Sequence, residues 1–114
     1  MPSISEKDRA NLLAILDAIQ KIEKYVKGLK DADEFYQDER TFDAVLMNFV
    51  VIGETVAKLD EALKNSYPGM PWKKIKGFRN IIAHNYFGVD AEEVWQIIHK
   101  NLPILRSNVQ TCSK

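Results

Sequence analysis

The sequence predicts an all-α fold, a small up-and-down bundle of four to five helices. Apolar residues recur at spacings of three and four along two long stretches, which is the period of one helix face. No stretch alternates apolar and polar residues as a half-buried strand would. The breaks between the stretches fall at glycine and proline clusters.

The first helix carries Leu12, Ile15, Leu16, Ile19, Ile22 and Val26 as one stripe. Ser5 with Asp8, or Ser3 with Glu6, is placed to open it as a capping box, and Gly28 to end it. Asp31 to Glu39 is acidic and weakly apolar, a connection with a short helical turn around Phe35 and Tyr36. The second stripe runs through Phe42, Val45, Leu46, Phe49, Ile52, Val56, Leu59 and Leu63. Gly53 lies beside it at a cost of about 1 kcal/mol in helix propensity, which close approach of another helix would offset.

Ser66-Tyr67-Pro68-Gly69-Met70-Pro71 breaks the chain again, and Pro71 suits the first turn of a third helix from about Trp72 to Ala83 or His84. Gly88 closes that region. Asp90 with Glu93 opens a last helix bearing Val94, Trp95, Ile97, Ile98, Leu102 and Leu105, which Pro103 should kink or divide.

A length of 114 residues suits one domain, and residues 1–114 read as a single helical domain. The 46% hydrophobic content is that of a packed core rather than a disordered tail. Sixteen basic side chains balance sixteen acidic ones, which argues against coating nucleic acid by charge alone but leaves room for a local basic patch. Net charge near zero also removes one brake on self-association. The single cysteine, Cys112, cannot form an internal disulfide, and no cysteine-based metal site is indicated. The polar start Met-Pro-Ser-Ile-Ser-Glu-Lys-Asp lacks an apolar h-region, and no apolar run approaches the roughly 20 residues of a membrane span. A cytoplasmic chain with no membrane partner and no cofactor is the expectation.

The chemistry concentrates in Arg79-Asn80-Ile81-Ile82-Ala83-His84-Asn85-Tyr86. Arginine grips phosphate through a planar, permanently charged fork. Histidine moves protons near neutral pH because its ordinary pKa is about 6.5. The pair is a minimal kit for cutting a phosphodiester without a metal. On an ideal helix Ile75, Phe78 and Ile82 share the apolar face, while Lys73, Lys76, Asn80 and His84 share the opposite one. Arg79 and His84 are then separated by about 140°, so one helix does not bring them face to face. Either the helix frays near His84, or a second copy of the chain completes the site. Lys73, Lys74 and Lys76 lie just upstream, where they can hold flanking phosphates or form an ordinary solvated face. His99, beside Lys100, reads as surface.

The pattern Arg-Asn-x-x-x-His-x-Tyr on the third long helix of a small bundle resembles the HEPN superfamily, and within it the HepT toxins of the HepT/MntA toxin–antitoxin systems. The resemblance extends over Asp38-Glu39-Arg40-Thr41, Val51-Ile52-Gly53-Glu54, Tyr67-Pro68-Gly69-Met70-Pro71-Trp72, Val89-Asp90 and Val94-Trp95. It implies a metal-independent endoribonuclease that works as a homodimer with a composite active site. It implies catalytic roles for Arg79 and His84, with Asn80 at the polar position after the arginine. It also implies that Tyr86 is the tyrosine which a partner nucleotidyltransferase antitoxin modifies with AMP. RNA would be cut by its own 2′-hydroxyl, leaving a 2′,3′-cyclic phosphate. The competing reading is a catalytically silent HEPN bundle that binds a nucleotidyltransferase or a nucleotide.

Overall fold

A computed structural model describes residues 4–70, 72–73, 75–77 and 90–112. Among the described residues every regular element is helical. In chain order these are α1 (Glu6–Val26), α2 (Ala32–Gln37), α3 (Glu39–Lys58), α4 (Glu61–Ser66), α5 (Ala91–Gln96), a π-helical turn (Ile97–Asn101) and α6 (Leu102–Cys112). Trp72, Lys73, Ile75, Lys76 and Gly77 are helical as well, between α4 and α5.

The start of α1 follows from its polar residues. Ser5 Oγ accepts the Asp8 N–H at 3.0 Å, satisfying one orphan donor of the first turn. Its end follows from Gly28, whose φ of 94° is a conformation glycine adopts without the Cβ penalty. Leu12, Ile15, Ile19, Ile22 and Val26 are buried as the stripe requires, while Leu16 sits half-buried at its edge. The short α2 is capped by Asp31, whose Oδ1 accepts the Glu34 N–H at 2.9 Å. It delivers Phe35 to the core against Phe42 and Trp95, with ring centroids 5.1 and 5.7 Å away. Asp38 caps α3 through both carboxylate oxygens, which accept from the Thr41 N–H and hydroxyl.

Among the described residues, the most extensive helix pairing is α1 against α3, the two long stripes facing one another. Phe42, Val45, Leu46, Phe49, Ile52 and Val56 supply the α3 side, and Gly53 is buried among them. The second stripe continues to Leu63, but the helix does not. At Leu59 the backbone becomes extended, with ψ at 144°, and α4 begins two residues later. The cause lies 52 residues upstream in the sequence. In a continuous helix the Asp60 N–H would donate to the Val56 carbonyl. Here it donates to Oδ1 of the buried Asp8 at 3.1 Å. Leu59 and Leu63 both remain buried, so the break keeps the apolar stripe while turning the chain.

The last helical stretch is divided, as Pro103 leads one to expect. Asp90 opens it by accepting the Glu92 and Glu93 N–H groups at 2.9 and 3.4 Å. The division falls one turn before the proline, as a π-helical turn whose final bond runs from the Leu102 N–H to the Ile97 carbonyl. Pro103 has no N–H to give and its ring crowds the preceding turn, and a widened turn relieves both demands. Val94, Ile98, Leu102, Leu105, Val109 and Cys112 keep one buried face across the change. α6 packs on α1, where Arg106 Nη1 meets Glu23 Oε1 at 2.8 Å. Among the described residues, no helix is long and apolar enough to cross a membrane.

Candidate nucleic-acid interface

The turn after α4 is built around one indole. Trp72 Nε1 donates to the carbonyls of Lys64, at 3.1 Å, and Tyr67, at 3.2 Å. The Met70 N–H closes the turn on the Tyr67 carbonyl at 3.1 Å, and the Trp72 N–H returns to Met70 at 2.9 Å. Met70 and Ile75 are buried on either side, so this segment is fastened to the core rather than draped over it. Tyr67 leans toward Cys112 at the end of α6. Loss of hydration raises the Tyr67 phenol above its ordinary 10.0, and the neighbouring thiol adds to the shift. Burial likewise raises the Cys112 thiol above 9.0, with the hydrogen bond to Tyr67 opposing it.

The helical residues after the turn divide by face, with Ile75 inward and Lys73 and Lys76 exposed. These two lysines open onto a cleft of about 370 Å³ that also takes in Glu61, Lys64, Asn65 and Trp72. Lys64 lies along its wall with only 13% of its side chain exposed, and its Nζ is 3.3 Å from Glu61 Oε1. Among the described residues that line the cleft, three are lysines and one is a glutamate. The overall charge balance therefore conceals a local positive site, the electrostatic footprint expected for a polyanion.

The structure thus brings Lys73 and Lys76 together and adds Lys64, Asn65 and Trp72 to them. Sequence reasoning missed Lys64 and Asn65, because they read as the tail of one long second helix. The break at Leu59 re-aims them. Lys74, Arg79, Asn80, His84 and Tyr86 lie outside the described residues, as does the expected end of the third helix. His99 is exposed as expected, with its ring centroid 4.3 Å from that of Trp95 and Nδ1 2.9 Å from the Trp95 carbonyl.

Residues 15–112 match the family model described as ribonuclease HepT-like. The chain belongs to the HepT-like ribonuclease family. The HEPN and HepT resemblance is borne out, and the HepT-like chain has the all-α HEPN-like bundle expected of it. The matched span includes both the lysine cleft and the segment from Arg79 to Tyr86.

Among its relatives is "Putative RNase MJ0127" of Methanocaldococcus jannaschii, 37% identical over 95 residues, covering 83% of this chain and 78% of that one. "Probable ribonuclease HepT" of Thermococcus cleftensis is 29% identical over 100 residues, covering 88% of this chain and 90% of the other. A longer Methanocaldococcus jannaschii protein, "Gamma-glutamylcyclotransferase and putative RNase MJ0434", is 34% identical over 95 residues. The HepT-like chain spans 42% of that protein's length. No solved structure matches significantly.

Proposed function

We propose that this chain is a metal-independent endoribonuclease toxin, active as a homodimer in the cytoplasm and held in check by a nucleotidyltransferase antitoxin. The observation that carries the reading is the order Arg79-Asn80-x3-His84-x-Tyr86 inside a chain of the HepT-like family. In this scheme the 2′-hydroxyl of RNA attacks the adjacent phosphorus. One His84 takes the 2′ proton, and the His84 of a second copy protonates the departing 5′-oxygen. Arg79 binds the non-bridging oxygens, where negative charge accumulates, and Asn80 orients the imidazole. The bond from phosphorus to the 5′-oxygen breaks, leaving a 2′,3′-cyclic phosphate and a 5′-hydroxyl. Lys73 and Lys76 hold flanking phosphates. Tyr86 accepts AMP from the antitoxin, and the added bulk and negative charge two residues from His84 close the site to RNA. The whole chain, residues 1–114, acts as one domain.

The test is cleavage of defined RNAs by the purified protein in EDTA, with analysis of the product ends. Cyclic phosphate ends that survive chelation and vanish in His84→Ala support the scheme. Loss of cleavage on chelation refutes the metal-free chemistry. An inert wild-type protein that still binds its nucleotidyltransferase establishes the binding-module reading instead.

A further inference from the structure

We propose that the cleft between α4 and the helical residues after Trp72 seats one nucleotide of single-stranded RNA. The base lies against Trp72 and its phosphate meets Lys73 and Lys76. This rests on the ribonuclease reading and extends it, from lysines that attract a backbone to a pocket that holds a base.

Four features carry the inference. First, the size fits. Ligand pockets run from about 300 to 1,000 Å³. A cleft of about 370 Å³ is at the small end of that range and has room for one nucleotide. Second, Trp72 is half-buried and its indole edge is fixed by two carbonyls, so it stands as a rigid wall of the cleft. A fixed aromatic beside cations is the usual platform for unpaired bases, because every base has a face to stack. Third, the cations are sorted. Lys64 is paired with Glu61 along the wall, while Lys73 and Lys76 line the cleft and are exposed to solvent, where a phosphate can reach them. Fourth, Asn65 adds an amide able to donate to and accept from a base edge.

The same chemistry would suit a free mononucleotide, so the experiment includes both ligands. Binding of a fluorescent 2′-O-methyl RNA pentamer, which lacks the attacking hydroxyl and stays intact, is followed by anisotropy, with AMP as competitor. The pentamer should bind, and millimolar AMP should displace it poorly. Displacement by micromolar AMP, or no binding of the pentamer, overturns the RNA subsite. Trp72→Leu should weaken the pentamer by about 5- to 150-fold, the range for losing one stacked base. Lys73→Ala/Lys76→Ala should flatten the dependence of log affinity on log salt by about 0.7 for each lost phosphate contact. A flattened slope with Trp72→Leu binding normally would leave the lysines as phosphate contacts and overturn the base pocket.

Trp72 also staples its turn, so a measurement on the unaltered protein accompanies the variants. A pentamer carrying 5-iodouracil, photocrosslinked to the wild-type chain, should label the peptide spanning residues 65–73. Crosslinks confined to other peptides overturn the proposal. Cleavage assays run in parallel separate the two readings. RNA cut normally by a protein that fails the crosslink test leaves the ribonuclease intact and removes the subsite.

Discussion

Asp8 Oδ1 accepts the Asp60 N–H at 3.1 Å and so joins the first turn of α1 to the start of α4. Asp8 is 3% exposed, and the bond replaces the one Asp60 would make inside a continuous helix. Hydrogen bonds to charged groups contribute about 1.5–3 kcal/mol. Asp8→Ala should therefore lower unfolding stability by about 2 kcal/mol, read as a reduced urea midpoint. Asp8→Asn keeps an acceptor of the same shape and should lose less. Equal losses in the two variants would show that the negative charge of the acceptor, and neither a cavity nor a neutral acceptor of the same shape, carries the effect.

Gly28 ends α1 at a φ of 94° with nothing within 4 Å of where a Cβ would stand. Space is therefore not the obstacle to a side chain there, and backbone strain is. Gly28→Ala should cost about 1–2 kcal/mol, the penalty of the left-handed conformation, and Gly28→Asn should recover part of it. Thermal melts of the pair check this order.

Stripes and caps were legible in the sequence because each is a local rule. Leu12 to Val26 and Phe42 to Val56 need only the helical period, and Ser5, Gly28 and Asp90 need only their neighbours. The break at Leu59 was not legible, since the spacing from Leu59 to Leu63 continues the helical period unchanged. Its cause is a polar contact between residues 52 apart, which no local pattern carries. The π turn was half legible. Pro103 announces a disturbance, but where the disturbance falls depends on keeping Ile98 and Leu102 on the buried face. For the site, Lys73 and Lys76 were visible as charge, whereas Lys64 and Asn65 join them only through the turn that Trp72 staples.

Cys112 should make the fold lose stability in alkali. The thiol is fully buried and titrates above its ordinary 9.0 in the folded chain. Below that value both the folded and unfolded chains hold the proton, and the contribution is fully present. As pH rises further the unfolded chain releases the proton first, so stability falls until the folded thiol ionises too. Tyr67, raised above 10.0 beside it, acts in the same direction at higher pH. Urea midpoints between pH 7 and 11 should drop with a steeper slope in the wild type than in Cys112→Ala. The variant should start about 1 kcal/mol lower at neutral pH, as a typical buried truncation does. Thiol reagents should label Cys112 at neutral pH only as fast as the chain unfolds.

The proposed switch and the proposed chemistry make opposite demands on Tyr86 and His84. A phenol that only receives AMP contributes nothing to cleavage, so Tyr86→Phe should cut RNA at the wild-type rate. It should also continue to do so after co-expression with the nucleotidyltransferase, when the wild-type chain has gained the mass of AMP and fallen silent. His84→Ala should still gain AMP yet lose about 10²–10⁴ in cleavage rate, the usual contribution of a positioned acid–base group. Arg79→Ala should lose about 10²–10³, the usual cost of removing an electrostatic donor. Intact-mass spectrometry combined with cleavage assays on the four proteins reads both axes at once. If Tyr86→Phe is silenced by the partner as fully as wild type, inhibition works by docking alone, and the AMP-acceptor role is withdrawn while the nuclease assignment stands. If Tyr86→Phe is itself inactive, the phenol belongs to the catalytic site, and modification would then silence the enzyme by removing a working group rather than by blocking the path of RNA.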